Sequence, residues 1–280
     1  MYPEPLFNLF GLEIDLYTIC FIVGLIACII YTVFALKKSG YSSSASDTII
    51  LVGIVAILFG LFSAVLFQSF YDFLADPSAG FVLTGRMTFL GGLIGGVVGY
   101  IGLYLLFVYV INPRLKEKNF FKADMNKGLF YALRFIPPSI TIAHAFGRIG
   151  CFFAGCCYGL ETNAWYGIKF ATTTTKVIPT QLFEAIFLFI LSAVMIVLYF
   201  VYKFKYNFTV YLIGYGVWRF LIEYLRADDR GGFVPGLSPS QFWSLVMIVG
   251  GVVFFFVYRY FDKKFTKENA TSSGENNENK

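Results

Sequence analysis

Residues 48–70 read TIILVGIVAILFGLFSAVLFQSF, a stretch without one charged side chain. About 20 apolar residues carry an α-helix across a bilayer core, so this stretch reads as a membrane span. Six more apolar runs of spanning length lie near 17–36, 88–111, 131–153, 181–202, 207–225 and 241–260. Composition agrees. Of 280 residues 58% are hydrophobic and 14% charged, where a soluble domain carries about 25% charged residues. Aromatics make up 20%, which suits rings seated at two membrane interfaces. The expectation is an all-α integral membrane protein with about seven transmembrane helices over residues 1–265. The tail at 266–280, ending KENATSSGENNENK, is polar and low in complexity. It buries too little surface to fold and is expected to be disordered and cytoplasmic.

The basic residues orient these helices. Lys37 and Lys38 follow the first run, and Arg114, Lys116, Lys118, Lys122 and Lys127 the third. Lys203 and Lys205 follow the fifth, and Arg259, Lys263, Lys264 and Lys267 the seventh. Cytoplasmic loops carry the excess of Lys and Arg, so the N-terminus is expected outside and the C-terminus in the cytoplasm. The net charge of +5 is thereby a matter of topology, and no nucleic-acid partner is expected. Residues 1–15 carry Glu4, Glu13 and Asp15 with no basic region, so a retained helix is expected rather than a cleaved signal peptide.

Ionisable residues inside a membrane are costly and mark functional sites. The stretch 144–159, HAFGRIGCFFAGCCYG, holds the sole histidine, Arg148 and three of the five cysteines. Its helix also carries Arg134, Pro137 and Pro138, so it is expected to be broken or to line a cavity. Arg148 sits between Gly147 and Gly150, where backbone and ligand can come close. Arg219, Glu223 and Arg226 follow i, i+4, i+7 spacing, placing all three on one helix face. Arginines facing an outer-leaflet cavity suit a phosphate, because guanidinium presents a planar fork of donors and keeps its charge when desolvated. Glu184 opens the fifth helix, where the helix dipole favours a carboxylate, and Gln181 is placed to cap it. Tyr17 opens the first helix as a belt aromatic.

Gly91, Gly95 and Gly99, with Gly92 and Gly96, repeat every fourth residue, which lets another helix pack closely. For Cys151, Cys156 and Cys157 the first reading is structural and the second a redox pair. A metal site with His144 ranks last, because there is no C-x-x-C pair and no second histidine. Cys20 and Cys28 read as small buried apolar residues. No dinucleotide fingerprint or P-loop is present, and neither a cofactor nor a metal is expected.

Taken together, GRMTFLGGLIGG, GRIGCFFAGCCYG, PTQLFEA, RFLIEYLRADDRG and LSPSQFWSL, in this order over about residues 12–260, resemble the bacterial prolipoprotein diacylglyceryl transferases. The resemblance implies transfer of a diacylglyceryl group from phosphatidylglycerol to the lipobox cysteine thiol in a prolipoprotein signal peptide. It is the first step of lipoprotein maturation, forms a thioether and releases glycerol phosphate. It implies a multi-pass protein of the bacterial plasma membrane with its site toward the outer leaflet. By position, Arg148 matches the signature arginine and is expected to bind the lipid headgroup with Arg219, Arg226, Gly147, Gly159 and Gln181. Arg148, Arg219, Glu223, Tyr17 and His144 are the expected catalytic residues.

The chain departs from the family pattern at three motifs. Leu90 stands where many members have histidine, so no imidazole base is available at that position, and His144 is the remaining candidate. Cys151 and Cys156 replace asparagine and glutamate of the signature, and Ile178 and Phe183 alter the PTQLFE motif. These changes leave two alternatives: a paralogue using a phospholipid donor with another acceptor, or a non-catalytic phospholipid-binding or transport protein.

Overall fold

The structure, a computed structural model, describes residues 5–9, 12–41, 43–83, 89–111, 131–227 and 236–278. Its long elements among these residues are seven helices. They are α1 (Leu16–Lys38), α2 (Ser43–Ala75), α3 (Phe89–Leu106), α4 (Pro137–Ala154), α5 (Thr180–Phe200), α6 (Asn207–Ile222) and α7 (Pro239–Glu278). Four contain stretches long and apolar enough to cross a membrane: Leu16–Lys38, Ser46–Leu74, Thr180–Phe200 and Pro239–Lys263. A large, exposed apolar surface of phenylalanine, leucine, isoleucine and valine runs along these helices, as expected of a protein whose solvent is lipid. The polar tail expected from 266 falls on the end of α7, whose backbone is helical to Glu278. A short hairpin, β1 (Phe7–Leu9) against β2 (Leu12–Ile14) with Phe7 opposite Ile14, precedes α1 and was not anticipated from composition. Asp15 ends the hairpin and caps α1, accepting from the Thr18 amide at 2.8 Å.

The chain divides into two units, one of Met1–Tyr31 with Phe130–Lys280, the other of Thr32–Leu129. In the second unit the glycine repeat does what its spacing predicts, and its partner is α2. A Cβ at Gly91 would meet Phe67 at 2.6 Å, one at Gly99 would meet Phe59 at 3.3 Å, and one at Gly95 would strike Ser63. Ser63 Oγ donates to the Gly91 carbonyl at 2.9 Å across this seam.

In the first unit α4 packs on α5, and α6 on α7. The shared core is Ala145, Leu188, Leu191, Met195 and Tyr215. Gly216 permits α6 to lie against α7, where a Cβ would come within 3.1 Å of the Ser244 carbonyl. Gly24 does the same for α1 on α4, against Phe146 and Ala143.

The expectation for residues 131–153 needs correction. Pro137 and Pro138 do not break a helix; they begin one, at positions where a missing N–H costs nothing. Arg134 therefore lies in the turn before α4 rather than within it. There its Nε donates to Tyr258 Oη at 2.6 Å, and its Nη2 pairs with Asp262 Oδ1 at 2.5 Å. Lys205 Nζ reaches the other Asp262 oxygen at 2.9 Å. This charge is a tether between the start of α4 and α7, not part of the site below.

Candidate active site

Helix α4 ends by a device that shapes the site. Gly155 is left-handed (φ 67°), its N–H bonding the Phe152 carbonyl, while the Cys156 N–H bonds the Cys151 carbonyl at 3.2 Å. This paired closure reverses the chain onto the last helical turn. Cys156 and Cys157 are thereby folded back onto Cys151, and the three Sγ atoms lie within 4.8 Å of one another. All five cysteines are free. Spacing alone had argued against such a group; the reversal at Gly155 supplies what the spacing lacks.

The loop is pinned from α5. Gln181 Nε2 donates to the Cys156 carbonyl at 2.5 Å, and Thr180 Oγ1 to the Cys157 carbonyl at 3.0 Å. Gln181 thus holds the cysteine loop and does not cap α5, whose N-terminus follows Pro179 without a side-chain cap. The Gln181 Oε1 is buried and unpartnered among the described residues. Cys157 is a non-glycine residue at φ 63°, a conformation that persists only when surroundings impose it.

One helical turn before the thiols, Arg148 Nε lies 3.0 Å from Glu184 Oε2. Glu184 is only 1% exposed, and its Oε1 accepts from Tyr215 Oη at 2.8 Å. His144 Nε2 is 3.8 Å from the same oxygen, too far for a hydrogen bond, and its ring packs edge-on to Tyr215. Glu184 is therefore the buried hub of a four-residue cluster and more than a helix-end carboxylate. Sequence reading undervalued it and missed Tyr215. The available signal was an acid one turn into an apolar helix, but its partner lay on another helix. Arg148 Nε makes no well-aligned hydrogen bond despite the short ion pair.

A second cluster joins α6 to α7. Arg219 Nη2 lies 2.9 Å from Glu223 Oε2 and donates to Ser240 Oγ at 2.7 Å. Its Nη1 is buried with no hydrogen-bond partner among the described residues. The LSPSQFW motif explains the α7 side. Ser238 and Gln241 cap reciprocally, the Gln241 amide donating to Ser238 Oγ at 3.2 Å and the Ser238 amide to Gln241 Oε1 at 3.1 Å. Ser238 Oγ then donates to Glu223 Oε1 at 2.9 Å.

The single helix face expected for Arg219, Glu223 and Arg226 is corrected here. Helix α6 stops at Ile222, Glu223–Leu225 form a 3-10 turn, and Arg226 is extended. The helix stops because the chain at Arg226 is taken up by a β-bridge to Gly159, with the Leu160 amide donating to the Leu225 carbonyl at 2.8 Å. Arg226 still lies near Glu223 (Nε to Oε2 3.8 Å) and within electrostatic reach of Cys157. Cys156 Sγ donates to the Cys151 carbonyl at 3.7 Å, and the neighbouring thiols, then Arg226, hold the Cys157 thiol below its ordinary range. The same neighbours hold Cys156 above it.

Gly159 has a packing role. A Cβ there would collide with the Leu225 carbonyl and come within 2.8 Å of Thr180 Cγ2. Gly159→Ala is expected to cost about 1–3 kcal/mol and to displace Arg226. A thermal melt in detergent and the transfer assay described below check it. Gly147 differs: among the described residues a Cβ would meet nothing within 4 Å, so open space lies beside Gly147, one residue before Arg148. Tyr17, 41% exposed, lies over Gly150, where a Cβ would come within 3.0 Å of its ring, and is within electrostatic reach of Arg148 and the three thiols. The Leu90 side chain lies outside the described residues.

Apolar helices enclosing buried arginine–carboxylate clusters define a helical integral membrane protein with charge kept at a site. The family model for prolipoprotein diacylglyceryl transferase matches residues 4–257, and the chain belongs to that family. It is 34% identical over 269 residues to the phosphatidylglycerol–prolipoprotein diacylglyceryl transferase of Clostridium tetani, covering 91% of this chain and 97% of the relative. It is 30% identical to transferase 2 of that name from Clostridium perfringens, over 93% of this chain and 97% of the relative. A Dehalococcoides mccartyi relative with the same name is 28% identical over 94% of this chain and 96% of its own length.

Proposed function

We propose that this chain transfers the diacylglyceryl group of phosphatidylglycerol to the lipobox cysteine of a prolipoprotein. The observation that carries the reading is the buried Arg219 Nη1, unpartnered among the described residues. A buried donor left unpaired costs about 1–3 kcal/mol. A ligand oxygen at that position removes the cost, and a lipid phosphate bears such oxygens. The relatives' printed name supplies donor and acceptor.

In this reading Arg148, Arg219 and Arg226 hold the phosphate, with the open space beside Gly147 receiving the headgroup. Glu184 and Glu223 aim the guanidiniums, since each carboxylate already holds one of them in place. As the C–O bond to the phosphate breaks, negative charge grows on the leaving glycerol phosphate, and fixed cations stabilise it. Tyr17, at the exposed side of the thiol group, borders the acceptor's approach. His144 is the imidazole available for proton transfer. Gly159 and Gln181 keep the loop and Arg226 in register. The seven helices are assigned as seven spans in a bacterial plasma membrane, with the N-terminus outside, the polar tail cytoplasmic and the site toward the outer leaflet.

The test is direct. Purified protein in detergent is incubated with phosphatidylglycerol and a lipobox peptide, and the peptide is analysed by mass spectrometry. A diacylglyceryl thioether is expected. Bound phosphatidylglycerol with no modified peptide sinks the reading in favour of lipid binding or another acceptor.

A further inference from the structure

The thiol group has no part in the chemistry above, and the transferase reading offers the acceptor's proton only His144. His144 is turned toward Tyr215 and Glu184. The geometry points to a single answer for both: Cys151, Cys156 and Cys157 bind one Zn(II)-type ion through three thiolates, and its open fourth position takes the acceptor's thiol. The inference rests on the transferase reading for the identity of that acceptor.

Four observations carry it. The Sγ atoms lie within 4.8 Å of one another. Tetrahedral zinc with Zn–S bonds of about 2.3 Å sets its sulfurs about 3.8 Å apart, so each need move only about an ångström or less. The loop is preorganised, held by Gln181 and Thr180 at two consecutive carbonyls and by the left-handed backbone at Cys157. Charge balances as well. Three thiolates and a divalent cation sum to one negative charge, and Arg226 lies within electrostatic reach of Cys157 and Arg148 of Cys151 and Cys157. Finally, among the described residues no further His, Cys, Asp or Glu ligand joins the three. Structural zinc sites close with four protein ligands, whereas reactive ones keep three and an open position. A disulfide is a poorer fit, since adjacent Cys156 and Cys157 do not pair readily and any other pairing leaves one thiol over.

The step balances without an oxidant or reductant. The acceptor thiol coordinates the ion and loses its proton to solvent, because a metal-bound thiol is deprotonated outright. Its sulfur forms a bond to the glyceryl carbon that carries the phosphate ester. The C–O bond to phosphate breaks, and its electron pair leaves with glycerol phosphate onto the arginines. The product thioether is neutral and a weaker ligand than a thiolate, so it departs with the metal's charge unchanged.

Metal-stripped full-length protein is titrated with Co(II) and observed in the ultraviolet and visible. One equivalent is expected to give sulfur-to-metal charge-transfer absorption. That absorption shifts when the lipobox peptide is added and stays unchanged with the same peptide carrying Cys→Ser. Cys156→Ser, at the exposed position, weakens Co(II) binding while the thermal melt reports its folding. In the transfer assay, stripping with a chelator lowers the rate at neutral pH by about 30-fold, the scarcity of thiolate in a free cysteine of pKa near 8.5. Zn(II) restores it, and the loss shrinks as the pH rises past that value. Absence of thiolate absorption, a spectrum blind to the peptide, transfer that survives stripping, or a disulfide among the three cysteines of the purified protein overturns the inference. A peptide-dependent shift with no lipidated product leaves the metal site standing and removes the phosphatidylglycerol reading instead.

Discussion

Arg219→Ala is expected to lower kcat/KM for lipid transfer by about 10²–10³-fold, the usual cost of losing one preorganised donor to a developing anion. Nη2 is fully engaged by Glu223 and Ser240, while Nη1 is buried and unpartnered among the described residues. The residue thus spends one end on structure and keeps the other for a ligand. Folding should survive the change, because Glu223 keeps Ser238 and has Arg226 nearby. Arg219→Lys makes the stronger test. It retains charge but has no second nitrogen to fill the place of Nη1, so its activity should lie near that of the alanine variant. Kinetics with phosphatidylglycerol and a lipobox peptide, beside a melt of each variant, decide the matter. Wild-type activity in Arg219→Lys would mean that Nη1 meets no ligand.

Glu184→Ala should do greater damage to the protein itself. Removing this carboxylate strands Arg148 without its counter-ion in a buried setting and takes the acceptor from Tyr215 Oη. Breaking one partner of a buried pair costs about 3–5 kcal/mol, a large part of what a protein has to lose. Lost transfer is expected together with a lower melting temperature in detergent. Glu184→Gln separates the two effects. The amide oxygen still accepts from Tyr215 and fills the same volume, so much of the stability returns, while Arg148 loses its electrostatic anchor and activity stays low. Full activity in Glu184→Gln would show that the charge on Glu184 does not aim Arg148.

Much of the fold was readable before any coordinates. Runs of uncharged residues place the helices, because in lipid only a hydrogen-bonded helix or closed barrel satisfies the backbone. The four-residue glycine spacing announced a close helix contact, and Arg219 with Glu223 followed from helix periodicity. Local rules failed where a neighbour distant in sequence intervened. The helical face did not extend to Arg226, since Gly159 bridges to it. Arg134 looked like an intramembrane charge until the two prolines were seen to begin α4. Gln181, placed as a cap, is drawn to the Cys156 carbonyl.

The sequence by itself determined a helical membrane protein and its family through five ordered motifs, and it singled out the arginines proposed for the site, because hydrophobicity, spacing and motif chemistry are local properties of the chain. Only the tertiary structure decided that Glu184 and Tyr215 belong with Arg148, and that three cysteines without a ligand-like spacing share one small volume. Those facts depend on how α4, α5 and α6 pack and on the chain reversal at Gly155. Buried charges and thiols take their character from partners that sequence distance does not reveal.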